Sequence, residues 1–151
     1  MRIWNLLRTE NIFLNVDLPN KEAVIRFAAD SFARHGLVDD AELIYEGMKL
    51  REEVLSTGIG NGVGIPHTAS AEAKDGALLL VRLAKPIDFG ALDALPVDIV
   101  LAVVVPNDET TLHLQILAGI SRLCRNSSFL RAVREASNPQ LLLEKIQTLE
   151  E

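Results

Sequence analysis

The sequence predicts an α/β protein in which a single mixed β-sheet is flanked by helices. Two runs rich in leucine and valine, at 77–84 and 97–105, are bounded by Lys-Pro and Pro-Asn pairs and have the composition of buried strands. Helical patterns occur before and after these runs, so the order of elements does not follow a strict alternation of strand and helix. We therefore expect a layered architecture in which helices cover a sheet whose strands are not all parallel.

The first part of the chain predicts a short strand and two helices. Residues 11–17 alternate weakly between apolar and polar types, which favours a strand, and a Pro-Asn pair then opens a helix over 21–34. A second helix begins at Asp39 or Asp40, and its periodic positions place Arg51 near its C-terminal end. Arg51 is therefore expected beside the glycine-rich segment that follows.

The rest of the chain predicts further strands of the sheet and further helices that cover it. A short strand over 62–66 and a loop over 68–76 precede the first apolar run. Thr110 or Thr111 is positioned to cap a helix whose first turn contains His113. Helical periodicity, together with an Asn-Pro start for the last element, predicts three C-terminal helices, at 110–124, 127–136 and 139–149.

Length and composition limit the classes of protein to which the chain can belong. With 151 residues and 48% hydrophobic content, we expect residues 1–151 to form one domain. The net charge of −6 argues against a nucleic-acid-binding surface and favours a basic protein partner. No apolar run approaches the roughly 20 residues of a membrane-spanning helix, so no membrane insertion is expected. The single Cys124 and an N-terminus without signal-peptide features predict a cytoplasmic protein.

The segment 56–67 is the most informative part of the sequence, because glycine alternates with other residues ahead of a single histidine. Glycine lets backbone amides approach an anion closely, so the segment predicts a phosphate pocket. Pro66 fixes the backbone just before His67 and indicates a rigidly presented imidazole. The hydroxyls of Ser56 and Thr57 serve either that anion or hydrogen bonds within a turn. The expected pocket residues are Ser56, Thr57, Gly60, Asn61, Gly62 and Gly64.

His67 is the candidate nucleophile. A neutral imidazole, with a reference pKa of about 6.5, can accept a phosphoryl group on nitrogen. Phosphoryl transfer also needs positive or N–H groups around the phosphoryl oxygens, and Arg51 is placed to supply one. The alternatives are a loop histidine bonded to backbone for His67, and for Arg51 a helix-end cation paired with Glu46 or Glu52.

The other histidines and acidic residues allow both functional and structural interpretations. His113 is a candidate to donate a hydrogen bond to a phosphoryl oxygen or to orient His67, and the alternative is a half-buried histidine at a helix start. His35 precedes a glycine at a helix end, which favours a structural role. Glu52 and Glu53 are expected on a solvated helix face.

Three other chemistries lack support in the sequence. A metal site built from His67, His113 and Cys124 would contain no closely spaced ligand pair, so no metal or cofactor is expected. The dinucleotide-binding pattern fails because its sixth position falls on Val63 or Ile65 rather than glycine. The Gly-Lys-Ser/Thr end of a nucleotide phosphate-binding loop is also missing, since Pro-His stands there.

The segment 51–67 closely resembles the phosphorylation-site signature of the fructose/mannitol-type enzyme IIA domains of the bacterial phosphotransferase system, including the nitrogen-regulatory branch. The resemblance continues through Pro-Ile-Asp-Phe at 86–89, Ala-Leu-Pro-Val-Asp at 94–98 and Thr-Leu-His-Leu at 111–114. It is strong over 46–124 and extends to the rest of the chain by pattern. This resemblance implies a mixed sheet between helices and chemistry without a metal.

The resemblance also implies a role for each site residue. It assigns the phosphoacceptor to His67, which would take phosphate from a phosphohistidine on the small carrier HPr. His113 matches the second active-site histidine, and Arg51 matches an arginine that stabilises phosphate. Thr68 departs from the family pattern, in which glycine often follows the histidine, and this change is expected to narrow the partner's approach.

Two branches of the family remain open from the sequence. A sugar-transport member hands phosphate to a cysteine on a IIB domain. A nitrogen-type member instead signals by binding regulatory protein targets according to its phosphorylation state.

Overall fold

Six strands form one sheet in a computed structural model that describes residues 1–151. The strands are β1 (Ile12–Val16), β2 (Gly58–Gly60), β3 (Val63–Gly64), β4 (His67–Ser70), β5 (Ala77–Ile87) and β6 (Val97–Pro106). The helices are α1 (Lys21–Arg34), α2 (Ala41–Val54), α3 (Thr110–Cys124), α4 (Ser127–Glu135) and α5 (Pro139–Leu149). Two short 3-10 helices, Ile3–Leu6 and Thr9–Asn11, precede β1.

The sheet is mixed, as the sequence predicts. Its order is β1-β5-β6-β3-β2, and β4 pairs with β6 beyond the end of β3. The central pair β5 and β6 is antiparallel, whereas β1 runs parallel to β5, and β3 and β4 both run parallel to β6. One edge of β6 is therefore shared by two short strands, β3 and β4.

Helices cover both faces of the sheet. Successive side chains of a strand point to opposite faces, and in β6 Leu101 and Val103 face one layer while Ala102 and Val104 face the other. The first layer contains core residues of α3, α4 and α5, and the second contains those of α1 and α2. The fold is thus a sheet between two helical layers, which confirms the predicted fold class.

Four of the five helices begin with an asparagine or aspartate cap, and three of these starts are predicted from the sequence. The side chains of Asn20, Asp40, Asn126 and Asn138 each accept a hydrogen bond from a backbone N–H in the first turn of the following helix. The prediction of a threonine cap for α3 is wrong. That helix already begins at Thr110, and Glu109 occupies the cap position without a side-chain hydrogen bond.

The glycine-rich region folds differently from the prediction. The strand expected over 62–66 contains only β3, the loop expected over 68–76 begins with β4, and β2 was not predicted. These strands have two to four residues and lack an apolar repeat, so their strand conformation comes from pairing with neighbours. The first apolar strand also extends beyond its expected end at residue 84, as far as Ile87. None of the helices is both long and apolar enough to cross a membrane.

Candidate functional site

His67 lies at a break between two strands that share the same partner. Gly64 pairs with Val100 and His67 with Val103, and Ile65 and Pro66 separate β3 from β4. Pro66 has no N–H for a sheet hydrogen bond, but its carbonyl accepts one from the Val103 N–H at 3.0 Å. The break therefore holds the backbone of His67 against β6.

The His67 ring has one nitrogen committed and one free. Nδ1 lies 2.7 Å from the backbone carbonyl of Ile65, and a carbonyl only accepts hydrogen bonds, so Nδ1 carries the proton. Nε2 then has an available lone pair. The side chain is 9% exposed, and Nε2, which makes no hydrogen bond, is not among the fully buried polar atoms. The ring is thus mostly buried while its unprotonated nitrogen reaches solvent.

His113 lies next to His67, although the two residues come from different layers. It lies in the first turn of α3, and the two ring centroids are 5.4 Å apart with an angle of 71° between the ring planes. His113 Nε2 is buried and has no hydrogen-bond partner. A buried nitrogen without a partner is unfavourable in a protein interior and calls for an explanation, and contact with a bound ligand is one such explanation.

Arg51 supplies the positive charge of the site. It lies in the last turn of α2, where its Nη1 donates to the Leu55 carbonyl at 3.4 Å. Burial lowers the pKa of both His67 and His113, and the Arg51 charge lowers each pKa further. The structure therefore places His67 beside His113, with the Arg51 charge close enough to lower both pKa values, and favours neutral rings near pH 7.

The glycine segment does not form a cradle around His67. The carbonyl of Gly62 accepts a hydrogen bond from the Ile99 N–H, and Val103, the partner of His67, lies four positions further along β6, or about 13 Å at 3.3 Å per residue. The backbone at Asn61 is held by Asp93, which accepts from its N–H, and by Arg134, which donates to its carbonyl. The expected pocket residues Gly60, Asn61 and Gly62 thus form a hairpin turn at a distance from the histidines.

The alternating glycines have a packing function instead. A Cβ at Gly64 would lie 2.8 Å from the Phe89 ring, and a Cβ at Gly58 would lie 2.8 Å from Ala91. Gly60 and Gly62 adopt positive φ in the turn, at 97° and 82°. Glycine at these positions lets the segment 88–98 pack directly on the hairpin.

The two hydroxyls expected in the pocket bond within the protein. Ser56 Oγ donates to the carbonyl of Phe89 and accepts from the N–H of Gly58. Thr57 is 5% exposed, and its Oγ1 donates to Glu52 Oε2 at 2.6 Å. Both hydroxyl protons are therefore occupied by acceptors other than a bound anion.

The expectation that Glu52 lies on a solvated face is wrong. Glu52 is 8% exposed, whereas Glu53 is exposed as expected. The sequence carries a signal for this, because Ile44, Met48 and Glu52 follow one another at four-residue spacing on the buried side of α2. The charge of the Glu52 side chain, taken alone, predicts a solvated position.

Thr68 does not narrow the approach to His67. Its side chain faces Gly47 on α2, where an added Cβ would lie 2.6 Å from Thr68 Oγ1. The missing side chain at Gly47 therefore accommodates the threonine that replaces the glycine of many family members.

The remaining candidates lie outside the site. His35 Nδ1 lies 2.9 Å from Asn11 Oδ1, a contact that joins the end of α1 to the residue before β1. Cys124 lies in the hydrophobic core, and burial raises the pKa of its thiol to about 12. No group of three or more histidine, cysteine or acidic side chains is arranged to hold a metal ion.

A sheet between two helical layers, with a neutral histidine pair and an arginine at one strand edge, defines the structural class. Residues 5–148 match the family model described as phosphoenolpyruvate-dependent sugar phosphotransferase system, EIIA 2. The chain therefore belongs to this family, as the resemblance in its sequence indicates.

The relatives that match this chain include nitrogen regulatory proteins and multiphosphoryl transfer proteins. The nitrogen regulatory protein of Escherichia coli strain K12 is 36% identical, over 99% of this chain and 92% of that protein. The multiphosphoryl transfer protein 1 of the same strain is 31% identical over 95% of this chain, which spans only 17% of that protein's length.

Solved structures match the whole fold. The nitrogen regulatory protein IIA-Ntr from Neisseria meningitidis has a TM-score of 0.88 at 25% identity and covers 95% of this chain and 98% of its own. IIA mannitol from Escherichia coli has a TM-score of 0.81 at 22% identity, over 93% of this chain and 98% of its own. A complex of IIA mannitol with phosphorylated IIB mannitol from the same organism also has this fold, with a TM-score of 0.78 at 23% identity over 94% of this chain and 97% of the matched chain.

Proposed function

We propose that this chain is a phosphocarrier of the phosphotransferase system that accepts a phosphoryl group on His67. The observation that carries the proposal is the state of that ring: Nδ1 donates to the Ile65 carbonyl, and the free Nε2 reaches solvent. Nε2 attacks phosphorus, a new N–P bond forms, and the bond to the donor imidazole breaks. The electron pair of that bond returns to the donor.

His113 and Arg51 stabilise the transferred group without bonding to it covalently. His113 Nε2 has no partner within the protein, and a phosphoryl oxygen beside His67 would provide one. Arg51 contributes a positive charge to the same space. Preorganised donors and charges of this kind supply most of the catalysis in phosphoryl transfer.

Exposed leucines next to the site residues support docking of protein partners. Leu50 precedes Arg51 and is 62% exposed, and Leu55, whose carbonyl accepts from Arg51, is 58% exposed. Leu114 follows His113 and is 64% exposed. Apolar side chains around a charged centre are typical of protein interfaces. The partners proposed are an HPr-like donor and, downstream, a IIB domain or a regulatory protein, all in the cytoplasm.

The direct test is phosphorylation by a phosphohistidine donor of the HPr type. Wild-type protein should take up one phosphoryl group and His67→Ala none, while His35→Ala serves as the matched histidine control. Labelling of His67→Ala at the wild-type rate would overturn the proposal.

A second candidate function is regulation by phosphorylation-dependent binding. It is favoured because relatives matched over more than 90% of their length are named nitrogen regulatory proteins. In this case the added negative charge on His67 would change which proteins bind. A pull-down with wild type, His67→Ala and His67→Asp tests the switch, and identical partners for all three would exclude it. Transfer from phosphorylated protein to a IIB cysteine would instead support sugar uptake.

A further inference from the structure

Glu52 is a buried carboxylate with all its contacts inside the protein. Its Oε1 accepts from the Thr57 N–H at 2.9 Å and from Lys21 Nζ at 3.0 Å, and its Oε2 accepts from Thr57 Oγ1 at 2.6 Å. Removing a buried carboxylate from water is costly unless such partners replace the lost hydration. The carboxylate therefore holds Thr57 through two hydrogen bonds, one to its N–H and one to its hydroxyl.

Thr57 connects this carboxylate to the proposed nucleophile. The Thr57 carbonyl accepts a hydrogen bond from the Ile65 N–H at 3.0 Å. The Ile65 carbonyl in turn accepts from His67 Nδ1 at 2.7 Å. A continuous chain of hydrogen bonds thus runs from Glu52 through the backbones of Thr57 and Ile65 to the imidazole.

Glu52 also lies next to Arg51, the positive charge of the site. Glu52 follows Arg51 directly in the last turn of α2, so anchoring its side chain fixes the turn from which Arg51 extends. Lys21, the first residue of α1, balances the buried negative charge. One carboxylate therefore holds both the backbone behind His67 and the helix end that carries Arg51.

We propose that Glu52 is a positioning residue for phosphoryl acceptance, acting through Thr57 and Ile65 to hold His67 as the Nδ1–H tautomer. The inference rests on the proposed phosphoacceptor role of His67. Loss of the anchor lets the Ile65 carbonyl move, and the proton is then free to occupy Nε2, which abolishes the lone pair needed for attack.

Two charged groups act on His67, Arg51 and Glu52, and both extend from α2. The neutral ring of His113, from α3, packs beside it, while Lys21 of α1 pairs with Glu52. The Glu52 charge raises the pKa of His67, in opposition to burial and Arg51. A variant that keeps the Glu52 charge and loosens only Thr57 therefore separates positioning from electrostatics.

The test compares four variants with wild type by ring ¹⁵N NMR of the unphosphorylated protein, which reports the His67 tautomer directly. Glu52→Gln removes the charge, Thr57→Val removes the hydroxyl bond alone, and Thr57→Ser restores that bond. Glu53→Gln removes an exposed neighbouring carboxylate that makes no hydrogen bond and is the matched control.

We expect wild type, Thr57→Ser and Glu53→Gln to keep the Nδ1–H tautomer, and Glu52→Gln and Thr57→Val to show a mixture. The phosphorylation rate of those two should fall roughly tenfold, because small displacements of a reacting group are costly. Folded Thr57→Val with an unchanged tautomer or an unchanged rate would overturn the inference, even if Glu52→Gln fails to fold. Failure of wild type to accept phosphate would instead count against the proposed function, since the tautomer is measured without transfer.

Discussion

At the scale of single residues, the proposed phosphoryl chemistry depends on the protonation of two histidine rings. The rings lie 5.4 Å apart, so protonation of one disfavours protonation of the other. Burial and the nearby Arg51 act in the same direction. Burial of the two rings is therefore unfavourable mainly when they are protonated.

We predict that His67 and His113 both titrate below the ordinary histidine pKa of 6.5. Since the unfolded chain binds these protons more readily, the contribution of the two neutral rings to the stability of the fold is fully present above about pH 6.5. It is lost as the pH falls through the lowered pKa values. Phosphorylation should slow over the same range, because a protonated Nε2 has no lone pair. NMR titration of the ring protons measures both pKa values, and titration of either ring above 6.5 would contradict the account.

Urea unfolding at several pH values provides the matching stability measurement. The free energy of unfolding of wild type should decrease more steeply below pH 6.5 than that of the double variant His67→Gln, His113→Gln. An equal dependence on pH in both proteins would show that other groups are responsible.

At the scale of secondary-structure elements, the packing of α2 on β4 helps to hold the strand that begins with His67. Gly47 lies where α2 meets Thr68, the residue after His67, and no side chain fits between them. Glycine within a helix costs about 1 kcal/mol relative to alanine. Glycine occurs at position 47 in spite of this cost because the helix and the strand approach each other closely there.

We predict that Gly47→Ala destabilises the protein by about 1 to 2 kcal/mol, because the strain of overpacking exceeds the gain in helix propensity. In a Thr68→Gly background the same change should be neutral or stabilising. Chemical unfolding of the four proteins of this double-mutant cycle measures the coupling between the two positions. Additive effects would mean that the helix and strand do not meet at this point.

Elements with a strong local signal could be predicted from the sequence, whereas those made by pairing could not. The helices α1 and α5 follow apolar periodicity and asparagine caps, and their predicted bounds agree with the structure. The short strands β2 and β4 depend on partners distant in sequence. The glycine segment and the Pro-His pair single out His67, helical periodicity places Arg51 beside them, and the resemblance adds a role for each site residue, including His113. The contacts of Gly60 to Gly62 with the 88–98 segment, by contrast, carry no local signal.

At the scale of the whole molecule, the histidine pair of the proposed site lies apart from a structural hairpin. The centre joins both helical layers at one edge of β6, while the turn at Asn61 lies near the other end of that strand. Arg134 holds this turn, with bonds to Asp98 at 2.8 and 2.9 Å and to the Asn61 carbonyl at 2.7 Å. Stability and phosphoryl chemistry should therefore respond to different substitutions.

We predict that Arg134→Ala lowers the free energy of unfolding by about 1 kcal/mol, a modest value because the ion pair is partly exposed. Its phosphorylation rate per folded molecule should equal that of wild type. Arg131→Ala, at an exposed arginine of the same helix without hydrogen bonds, is the control and should change neither quantity. Loss of phosphorylation in a folded Arg134→Ala protein would place the hairpin in the site after all.

Docking of partners is a property of the whole surface around the histidines. Leu114→Glu should raise the KM for the phosphorylated donor about tenfold with little change in kcat, because a buried interface anchor is worth more than 1 kcal/mol. Leu141→Glu, on α5, changes a leucine that is also more than half exposed, on a different helix, and should leave KM unchanged. Equal effects of the two substitutions would remove the support for docking beside His113.

The most direct measurement is the position of the phosphoryl group after reaction with a phosphohistidine donor. Combined ³¹P and ¹⁵N NMR should find a single phosphoramidate on Nε2 of His67, with Nδ1 still protonated and bonded to the Ile65 carbonyl. A phosphoryl group on Nδ1 of His67, on His113, or on no histidine would contradict the account.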